Sequence, residues 1–538
     1  MVKRKQTSGG ELRSVQFPLA IHKYSLVELK QSALKHWNIR DIQPYFPSIE
    51  KLFKSSDLQD VADYGIKFDE EIQSILEPSK IKTTSGSVVE IHSKVTMLLS
   101  PYKWMRGEYG QTLGLPTSLE HATTSMHKLQ NTNNAAYVGS LISSLLSQSG
   151  CQHFPKVYGV FTGTSMGHTV DISDDYVELS ERPWFSKNIG KMFDVKLSDE
   201  MQDTQEFKHT RKSRISIMLG EQTDLGDIPI LETTQVGDVQ MGDLSKILQE
   251  DNEDLDNTSD SSSVSTSYIF GVKSCACESD DEDSDDEGSY EAFAWATFKD
   301  VPVQVTLMEK CEGTLYQLIT LNTETEKHLA WISQVMFALA YAQRNFGMVH
   351  NDLHANNVMY TSTTQEYLFY NCGGVLYRVP TFGYLIKIID FERGITSVKL
   401  TGMKESKQFI SDHFCQEEEA GGQYNFGEYY NSKFPEIKPS ASFDLVRLAT
   451  SLYWDLFSED QPENMLYKLF KKWLTLDDDT SILFGKEDLQ HDRYHGFNLY
   501  KAITRFCKDN AVPRREISSL KELYGVESCN NTSVLMID

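Results

Sequence analysis

Two short stretches of the chain combine carboxylate and amide side chains at spacings that suit phosphate chemistry. The first, from His350 to Asn357, reads His-Asn-Asp-Leu-His-Ala-Asn-Asn, so that an amide follows the carboxylate of Asp352 by five positions. The second is an apolar run over residues 385–389 that ends in Asp390. In phosphoryl transfer from a nucleotide, one carboxylate orients the attacking hydroxyl and accepts its proton, while an amide oxygen and a second carboxylate hold Mg²⁺ on the phosphates. The two stretches together contain this set of groups.

These stretches resemble the catalytic loop, His-Arg-Asp-Leu-x-x-x-x-Asn, and the metal loop, Asp-Phe-Gly, of the protein-kinase-like family. The resemblance implies that Asp352 is the catalytic base and that Asn357 and Asp390 bind magnesium. A lone Asp-Phe pair carries little information, but the ordered pair of motifs, each at the end of an apolar run, is specific. The alternative is structural: Asp352 and Asn357 would shape a polar turn, and Asp390 would cap a strand.

The same family covers the nucleotide phosphates with a glycine-rich turn and a strand lysine. Residues 82–99 are strand-like, but Gly86 is the only glycine near the expected turn. Lys94 is the candidate for the strand lysine, and Lys103 is the second choice. A surface lysine at a strand end fits the pattern of Lys94 equally well.

A helix is predicted over residues 133–147, where the family places a regulatory helix that offers a glutamate to the strand lysine. No acidic residue lies between Met126 and Val170. The usual ion pair is therefore not predicted from this helix, and Glu120 in a neighbouring turn is the substitute.

An apolar strand over residues 303–309 resembles the kinase hinge, whose backbone groups hold adenine. By this resemblance Met308 lies at the back of the adenine pocket, and Glu309 and Cys311 bind the nucleotide. The run lies about forty residues before the catalytic loop, as in the family. An ordinary core strand and turn is the alternative interpretation.

The regions before the first motif and between the two motifs also predict secondary structure. Apolar residues at three-to-four spacing over 326–346 predict a helix with one buried face that leads into the catalytic loop. Asn357 and Asp390 are 33 positions apart, against about a dozen in common kinases. The excess predicts a hairpin over residues 367–379.

Residues 442–449 read Ser-Phe-Asp-Leu-Val-Arg-Leu-Ala. Together with His-Asn-Asp-Leu-His and the long hairpin, this run resembles the serine/threonine protein kinases of giant nucleocytoplasmic DNA viruses. By that likeness Asp444 is the buried aspartate that opens a core helix and braces the catalytic loop. Helix N-capping by Asp444 is the simpler interpretation and is compatible with bracing.

Three residues depart from the family pattern. Asn351 replaces the arginine that commonly pairs with a phosphorylated activation loop, so control by that route is not predicted. His354, a candidate catalytic residue, replaces a lysine near the γ-phosphate, and an imidazole is only partly charged near neutral pH. Glu392 replaces the glycine of the metal loop, which removes a residue that freely adopts positive φ.

Composition narrows the function further. The formal net charge is −25, and residues 250–291 alone hold 15 acidic residues and one lysine. This balance argues against nucleic acid as a partner, because phosphate contacts need basic patches. No apolar run reaches the length of a membrane span. The eight cysteines are scattered, which fits an intracellular protein. The viral likeness implies the host cytoplasm, with packaging in a virion left open.

The resemblance implies an α+β, two-lobed protein-kinase-like fold, with a small β-rich N-lobe that carries large insertions and a mainly helical C-lobe. The predicted division is 1–80 for a partly helical N-terminal extension, 81–309 for the N-lobe, 310–515 for the C-lobe and 516–538 for a C-terminal tail that frays from Ser528. Within the N-lobe, residues 162–250 are a predicted insertion. Residues 250–290 are predicted to be disordered, because they cannot bury enough apolar surface to offset the entropy of ordering.

The sequence therefore predicts an ATP- and Mg²⁺-dependent kinase that acts on Ser or Thr hydroxyls of a protein substrate. A small-molecule kinase of the choline or aminoglycoside type shares the two motifs and is the first alternative. A pseudokinase scaffold is the second, because the glycine-rich loop and the helix glutamate are missing. The substrate's identity and the oligomeric state are not predicted.

Overall fold

The structure is a computed structural model that describes residues 19–53, 60–109, 114–116, 127–198, 293–457, 464–485, 492–494, 496–529 and 533–538. The acidic segment 250–290, most of the predicted insertion 162–250 and Glu120 lie outside these residues. Within them the chain is an α+β protein, as predicted, with a β-rich amino-terminal part followed by a part in which helices dominate. In these ranges no helix has both the length and the apolar character needed to cross a membrane.

A six-stranded antiparallel sheet is the centre of the amino-terminal part, with the strand order β2-β7-β11-β6-β5-β4. The strands are β2 (Ile39–Gln43), β4 (Ile72–Glu77), β5 (Lys80–Thr83), β6 (Val88–Met97), β7 (Val157–Ser165) and β11 (Val301–Glu309). β11 is central and almost wholly buried, which explains its near-continuous apolar sequence. The predicted boundary at residue 81 divides this sheet, because β2 and β4 precede it. Both strands are short and alternate weakly, so their sequences give little strand signal.

One buried helix, α4 (Ala135–Ser147), packs on this sheet where the sequence predicts a helix. It begins after Asn134, whose side chain accepts a hydrogen bond from the Ala136 N–H at 3.1 Å. The helix is buried nearly all round, which is consistent with a sequence that contains no charged residue. The hydroxyls of Ser140 and Thr306 lie 2.7 Å apart and tie the helix to β11.

Smaller elements surround the central sheet. Before and beside it lie β1 (Ile21–Lys23), α1 (Val27–Trp37), α2 (Ser48–Leu52), β3 (Tyr64–Ile66) and α3 (Pro101–Met105). A second antiparallel sheet, ordered β8-β10-β9, comprises β8 (His168–Asp171), β9 (Asp194–Leu197) and β10 (Ala294–Phe298), with α5 (Tyr176–Glu181) and α6 (Pro183–Asn188) between its strands in sequence. The described part of the predicted insertion is thus folded and begins a sheet of its own.

Helices form the core of the carboxy-terminal part. They are α7 (Leu315–Thr320), α8 (Thr325–Phe346), α9 (Phe443–Leu456), α10 (Met465–Leu474), α11 (Phe497–Phe506), α12 (Pro513–Glu516) and α13 (Lys521–Tyr524). The long helix α8 coincides with the predicted amphipathic stretch and ends at Gly347, which adopts a φ of 53°.

Short strands connect these helices. They are β12 (Gly313–Thr314), β13 (Val358–Ser362), β14 (Tyr367–Cys372), β15 (Val375–Pro380), β16 (Tyr384–Ile388), β17 (Ile395–Val398), β18 (Lys407–Ile410), β19 (Gly525–Val526) and β20 (Val534–Met536). β14 and β15 form the predicted hairpin, whose turn at Gly373 and Gly374 uses positive φ values of 62° and 74°. β19 and β20 pair with this hairpin. The expectation of a frayed end is therefore wrong for residues 534–536, which gain backbone pairing from β14.

Candidate active site

A buried carboxylate holds the loop after α8 in place. Asp444, at the start of α9, is fully buried and accepts the N–H groups of His350 at 3.0 Å and Asn351 at 2.9 Å. Burial raises the pKa of Asp444 above its ordinary value, although these hydrogen bonds oppose the rise. The bracing contact predicted for Asp444 is present, and the N-cap position of α9 belongs to Ser442 instead.

Asn351 holds an uncommon backbone conformation that its side chain stabilises. Its φ is 65°, in the left-handed region that asparagine tolerates better than most residues. The side-chain amide donates to the Arg393 carbonyl at 2.9 Å, and its oxygen accepts the Tyr424 hydroxyl at 2.6 Å. Asn351 therefore joins the catalytic loop to the segment after Asp390, in a place where an arginine would stand in the related motif.

Asp352 is held as a carboxylate by cationic and hydroxyl groups. The Tyr500 hydroxyl on α11 donates to Asp352 Oδ1 at 2.6 Å, and Arg393 Nη1 lies 3.7 Å from the same oxygen. Burial alone would raise the pKa of Asp352, but the charges of Arg393 and Arg447 and the Tyr500 hydrogen bond hold it well below the ordinary value. Asp352 is therefore ionised throughout the physiological range.

Two further residues of the catalytic loop can be placed. Asn357 donates through Nδ2 to the Asp352 carbonyl at 2.9 Å, so its Oδ1 is the side-chain atom that could bind a cation. Burial lowers the pKa of His354 to about 4, even though Asp352 opposes the fall. His354 is thus a neutral imidazole near pH 7.

Asp390 meets Lys94 across the boundary between the central sheet and the carboxy-terminal part. Lys94 Nζ lies 2.7 Å from Asp390 Oδ1 and 2.9 Å from Glu392 Oε1. Burial disfavours the ammonium, but the two carboxylates outweigh it and raise the pKa of Lys94. For Asp390 burial acts in the opposite direction, and the charge of Lys94 holds its pKa below the ordinary value. Asp390 also has a positive φ of 65°, which turns the chain directly after β16.

The residue after Asp390 anchors the metal loop. The ring of Phe391 lies 5.1 Å from the ring of His350 and 6.2 Å from that of Phe154, measured between centroids. His350 in turn hydrogen-bonds the Ile389 carbonyl through Nε2 at 2.7 Å. These contacts fix the two loops against each other and keep Asp352 and Asp390 in neighbouring positions. The Asp352 charge is close enough to oppose the fall in the pKa of Asp390.

The predicted hinge residues lie at the end of β11. Met308 is buried and lines a small cavity with Phe154 and Asp390. Glu309 Oε2 lies 2.9 Å from the Nζ of Lys387 on β16, so its side chain joins the sheet to the carboxy-terminal part. Burial raises the pKa of Cys311 to about 12, so Cys311 is a neutral thiol.

The donor set around Asp390 suits one small hard cation. Among the described residues, no group of three or more His, Cys, Asp or Glu side chains could hold a metal by itself. Asp390 and Asn357 could supply two oxygen ligands from adjacent loops. This fits Mg²⁺, which keeps several water or phosphate oxygens and takes few protein ligands.

The structure brings Lys94, Asp352, His354, Asn357 and Asp390 into one group of interacting residues, and the predicted hinge residues lie at or just after the end of β11. Lys103 does not belong to this group, because its Nζ lies 2.9 Å from Glu418.

Three partners of this group were not predicted as such: Glu392, Arg393 and Tyr500. Glu392 stood out only as a departure from the metal-loop pattern. Tyr500 lies 148 positions from Asp352, and nothing in its local sequence indicates the contact.

Comparison with known proteins gives a limited relationship. No protein-family model matches the chain. The chain is 27% identical over 236 residues to uncharacterized protein 098R of Invertebrate iridescent virus 6, an alignment that covers 39% of this chain and 36% of the relative. The chain thus spans about a third of that relative's length, and the similarity is to a viral protein.

Proposed function

We propose that the protein is an ATP- and Mg²⁺-dependent protein kinase that transfers the γ-phosphoryl group to Ser or Thr hydroxyls of a protein substrate. The observation that carries this proposal is the contact of Lys94 with Asp390, residues 296 positions apart, together with the placement of Asp352 near enough for its charge to act on Asp390. A polar turn or a strand cap needs no such convergence. The residue types match the three tasks of the reaction, which are orienting the hydroxyl, binding metal and holding phosphate.

The order of strands supports a two-lobed protein-kinase-like fold. Strands β4, β5 and β6 run consecutively, α4 follows β6, and β11 then inserts between β6 and β7. A mainly helical part follows the hinge strand β11. In this proposal the sheet with α4 is the N-lobe, the helices from α7 onward are the C-lobe, and the cleft between them binds ATP.

Each residue of the cleft has a separate task in the proposed reaction. Asp352 has a depressed pKa and is a weak base, so it orients the substrate hydroxyl and takes its proton as the bond to phosphorus forms. Lys94 binds phosphate oxygens, and the backbone of Glu309 and Cys311 holds adenine beside Met308. Bound Mg²⁺, on Asp390 and Asn357, supplies positive charge that neutralises the transferring phosphoryl group.

A short turn stands in the place of the glycine-rich loop. β4 and β5 are joined at Pro78 and Ser79, and the Trp37 indole donates to the Pro78 carbonyl at 3.0 Å. The Ser79 carbonyl accepts the Ile91 N–H at 2.8 Å. In the proposed enzyme this pinned turn covers the phosphates without a flexible glycine segment.

The viral relative supports a place of action inside the host cell. In this proposal the enzyme phosphorylates proteins of the host cytoplasm or of the virion. Nucleic acid is not proposed as a partner.

A labelling experiment tests the proposed function. The full chain is incubated with γ-labelled ATP, Mg²⁺, generic protein substrates and a panel of small alcohols and amines. We expect label on protein, reduced by about 10² to 10⁴ in Asp352→Asn. Asp479→Asn is the matched control, because Asp479 is exposed and already has a positive φ that asparagine tolerates. Label confined to small molecules, or nucleotide binding without any transfer, would contradict the proposal.

A further inference from the structure

Lys94 has two carboxylate partners that are not equivalent. Its Nζ contacts Asp390 at 2.7 Å and Glu392 at 2.9 Å, and its side chain is 22% exposed. Asp390 is the proposed metal ligand, so its oxygens are needed by Mg²⁺ when nucleotide binds. Glu392 contacts Lys94 and is not one of the two residues proposed to bind Mg²⁺, Asp390 and Asn357. Once Asp390 turns to the metal, Glu392 is the partner that stays with the lysine.

We propose that Glu392 is the positioning residue that holds Lys94 in place for the nucleotide phosphates, in a role that a carboxylate on α4 would otherwise fill. This inference rests on the proposed function. It explains two departures from the sequence pattern with one contact, since α4 has no acidic residue and the metal loop has gained one.

The shape of α4 supports the replacement of a helix carboxylate by Glu392. Gly139 faces the metal loop so closely that a Cβ atom added to it would lie 2.9 Å from Glu392 Cγ and 3.2 Å from Glu392 N. Any side chain at position 139 would therefore press on Glu392. Gly139 on α4 leaves room for the Glu392 side chain, and Glu392 provides the carboxylate that contacts Lys94.

A neighbouring hydroxyl fixes the direction of the Glu392 carboxylate. Thr96 Oγ1 donates to Glu392 Oε1 at 2.6 Å, and Oε1 is also the atom that contacts Lys94. Thr96 and Lys94 are two positions apart on β6 and so point to the same face of the sheet. The strand therefore presents both a hydroxyl and an ammonium to one oxygen, which restrains Glu392 before any ligand arrives.

The arrangement predicts what the loss of Glu392 does. Without it, Lys94 has only Asp390 as a carboxylate partner, and the ion pair between them competes with binding of Mg²⁺ by Asp390. The Mg²⁺ concentration needed for activity should rise, and Lys94 should bind the nucleotide phosphates less tightly. A purely structural role of Glu392 would lower stability without a selective change in the Mg²⁺ dependence.

The test compares Glu392→Gln with the wild type and with Glu405→Gln, a control at an exposed position after β17. Phosphoryl transfer is measured over a range of Mg²⁺ and ATP concentrations, and binding of Mg-ATP is measured by calorimetry. We expect Glu392→Gln to lose about tenfold to a hundredfold in kcat/KM for ATP, the range for one hydrogen bond to a charged group. The Mg²⁺ concentration for half-maximal rate should rise, and Glu405→Gln should behave as the wild type. Unchanged kinetics in Glu392→Gln, or a loss without a shift in the Mg²⁺ dependence, would overturn the inference.

A second set of variants moves the carboxylate from position 392 to position 139. It tests whether Lys94 needs a carboxylate at this point or the particular sequence of the loop. Glu392→Gly removes the carboxylate and frees the space next to position 139, and Gly139→Glu then returns a carboxylate from α4. The double variant should recover at least part of the activity lost in Glu392→Gly, whereas Gly139→Glu alone should be impaired because its side chain meets Glu392. A double variant no better than Glu392→Gly, with an intact unfolding transition, would contradict the claim that a carboxylate at this point is what Lys94 needs.

Failure of the proposed function gives a different result. If the wild type transfers no label to any acceptor, the kinase proposal fails, and the binding arm still decides the role of Glu392. Weaker binding of Mg-ATP by Glu392→Gln than by Glu405→Gln would support the positioning role. Equal binding by both variants would overturn it.

Discussion

Tyr500 is the residue whose contact with the proposed base is least expected from sequence. Its hydroxyl donates to Asp352 Oδ1 at 2.6 Å, and its ring lies under the guanidinium groups of Arg447 and Arg393, at 5.0 Å and 5.6 Å from the ring centroid. The aromatic ring thus supports two cations that stabilise the carboxylate. One oxygen of Asp352 is fixed by this contact, and in the proposed enzyme the other orients the substrate hydroxyl.

The Tyr500→Phe substitution tests this role. Loss of the hydroxyl should lower kcat by about tenfold, because a hydrogen bond to a charged group is lost, and should leave the affinity for Mg-ATP unchanged. The measurement is steady-state transfer with separate kcat and KM values. Tyr494→Phe is the control, since the Tyr494 hydroxyl is buried without a hydrogen-bond partner. Equal kcat in Tyr500→Phe and the wild type would rule out the contact as a determinant of catalysis.

His354 leads to a prediction about pH. Since its pKa is lowered to about 4, the imidazole stays neutral from pH 6 to 8, and its titration should not shape the rate in that range. The pH profile of kcat should be the same in His354→Gln as in the wild type between these limits, whatever the difference in absolute rate. A step near pH 6.5 in the wild type that disappears in the variant would show a charged histidine at work.

At this scale the sequence predicts the groups but not their partners. Asp352, Asn357 and Asp390 follow from local spacing, because each lies in a short motif at the end of an apolar run. The contacts of Lys94 with Glu392 and of Asp352 with Tyr500 depend on how distant elements pack. A single sequence carries no record of that packing.

Among the elements, α4 is held at its amino terminus by a residue from far along the chain. Asp412 Oδ1 accepts the Ala135 N–H at 2.9 Å, and Lys128 Nζ lies 3.7 Å from Asp412 Oδ2. Lys128 Nζ also lies 3.2 Å from Glu418. A carboxylate at a helix amino terminus is stabilised by the unpaired N–H groups and by the helix dipole. The carboxylate of Asp412 therefore attaches the segment after Glu392 to α4. This contact does not depend on phosphorylation of the segment.

The Asp412→Ala substitution should lower the free energy of unfolding by about 1 to 3 kcal/mol, because it leaves a buried helix N–H group without its acceptor and removes one of the two carboxylates near Lys128. Urea denaturation followed by circular dichroism measures this change. Asp69→Ala, at an exposed site with a negative φ, is the control. A midpoint equal to that of the wild type would show that the contact contributes nothing to stability.

His153 joins the hairpin strand β14 to β16 and titrates with the fold. It is fully buried, with Nδ1 at 2.9 Å from the Ile386 carbonyl and Nε2 at 2.7 Å from the Tyr370 hydroxyl. A carbonyl can only accept, so Nδ1 carries the proton and Nε2 accepts from Tyr370. Burial lowers the pKa of His153 to about 4.

Because of His153, the free energy of unfolding should depend on pH. The unfolded chain takes up a proton on His153 near pH 6.5, and the folded protein does so only near pH 4. The unfolded state therefore binds more protons between these values, so the free energy of unfolding should decrease as the pH falls through this window. His153→Gln keeps a donor and an acceptor but cannot titrate, and its stability should vary less with pH. Parallel curves for the two proteins would contradict this account.

Elements are predicted from sequence where their own pattern is strong. The long helix α8 and the hairpin β14–β15 follow from apolar periodicity and from two consecutive glycines. Strands β2, β4 and β20 escape prediction, because each is short and is stabilised by neighbours in the sheet. The sheet therefore also includes strands that precede the predicted division at residue 81.

Across the whole molecule, several ion pairs join the amino-terminal sheet to the carboxy-terminal part, and three of them share one polarity, whereas the pair of Glu309 with Lys387 has the opposite one. Lysines on the amino-terminal side, Lys51, Lys94 and Lys128, each contact a carboxylate that follows β16. The negative partners lie on the metal loop and on the segment after it. The segment after β16 therefore carries both Asp390 and several contacts between the two parts of the molecule, and a change in this segment should alter both.

The most direct measurement for the central claim is a crystal structure of the full chain with Mn²⁺ and a non-hydrolysable ATP analogue. Anomalous scattering locates the metal independently of the protein. The account predicts a peak about 2 Å from the oxygens of Asp390 and Asn357, with Lys94 on the phosphates and still paired with Glu392, and with Asp352 facing the γ-phosphate. A nucleotide bound elsewhere, or a γ-phosphate on the far side of the cleft from Asp352, would contradict the proposed kinase.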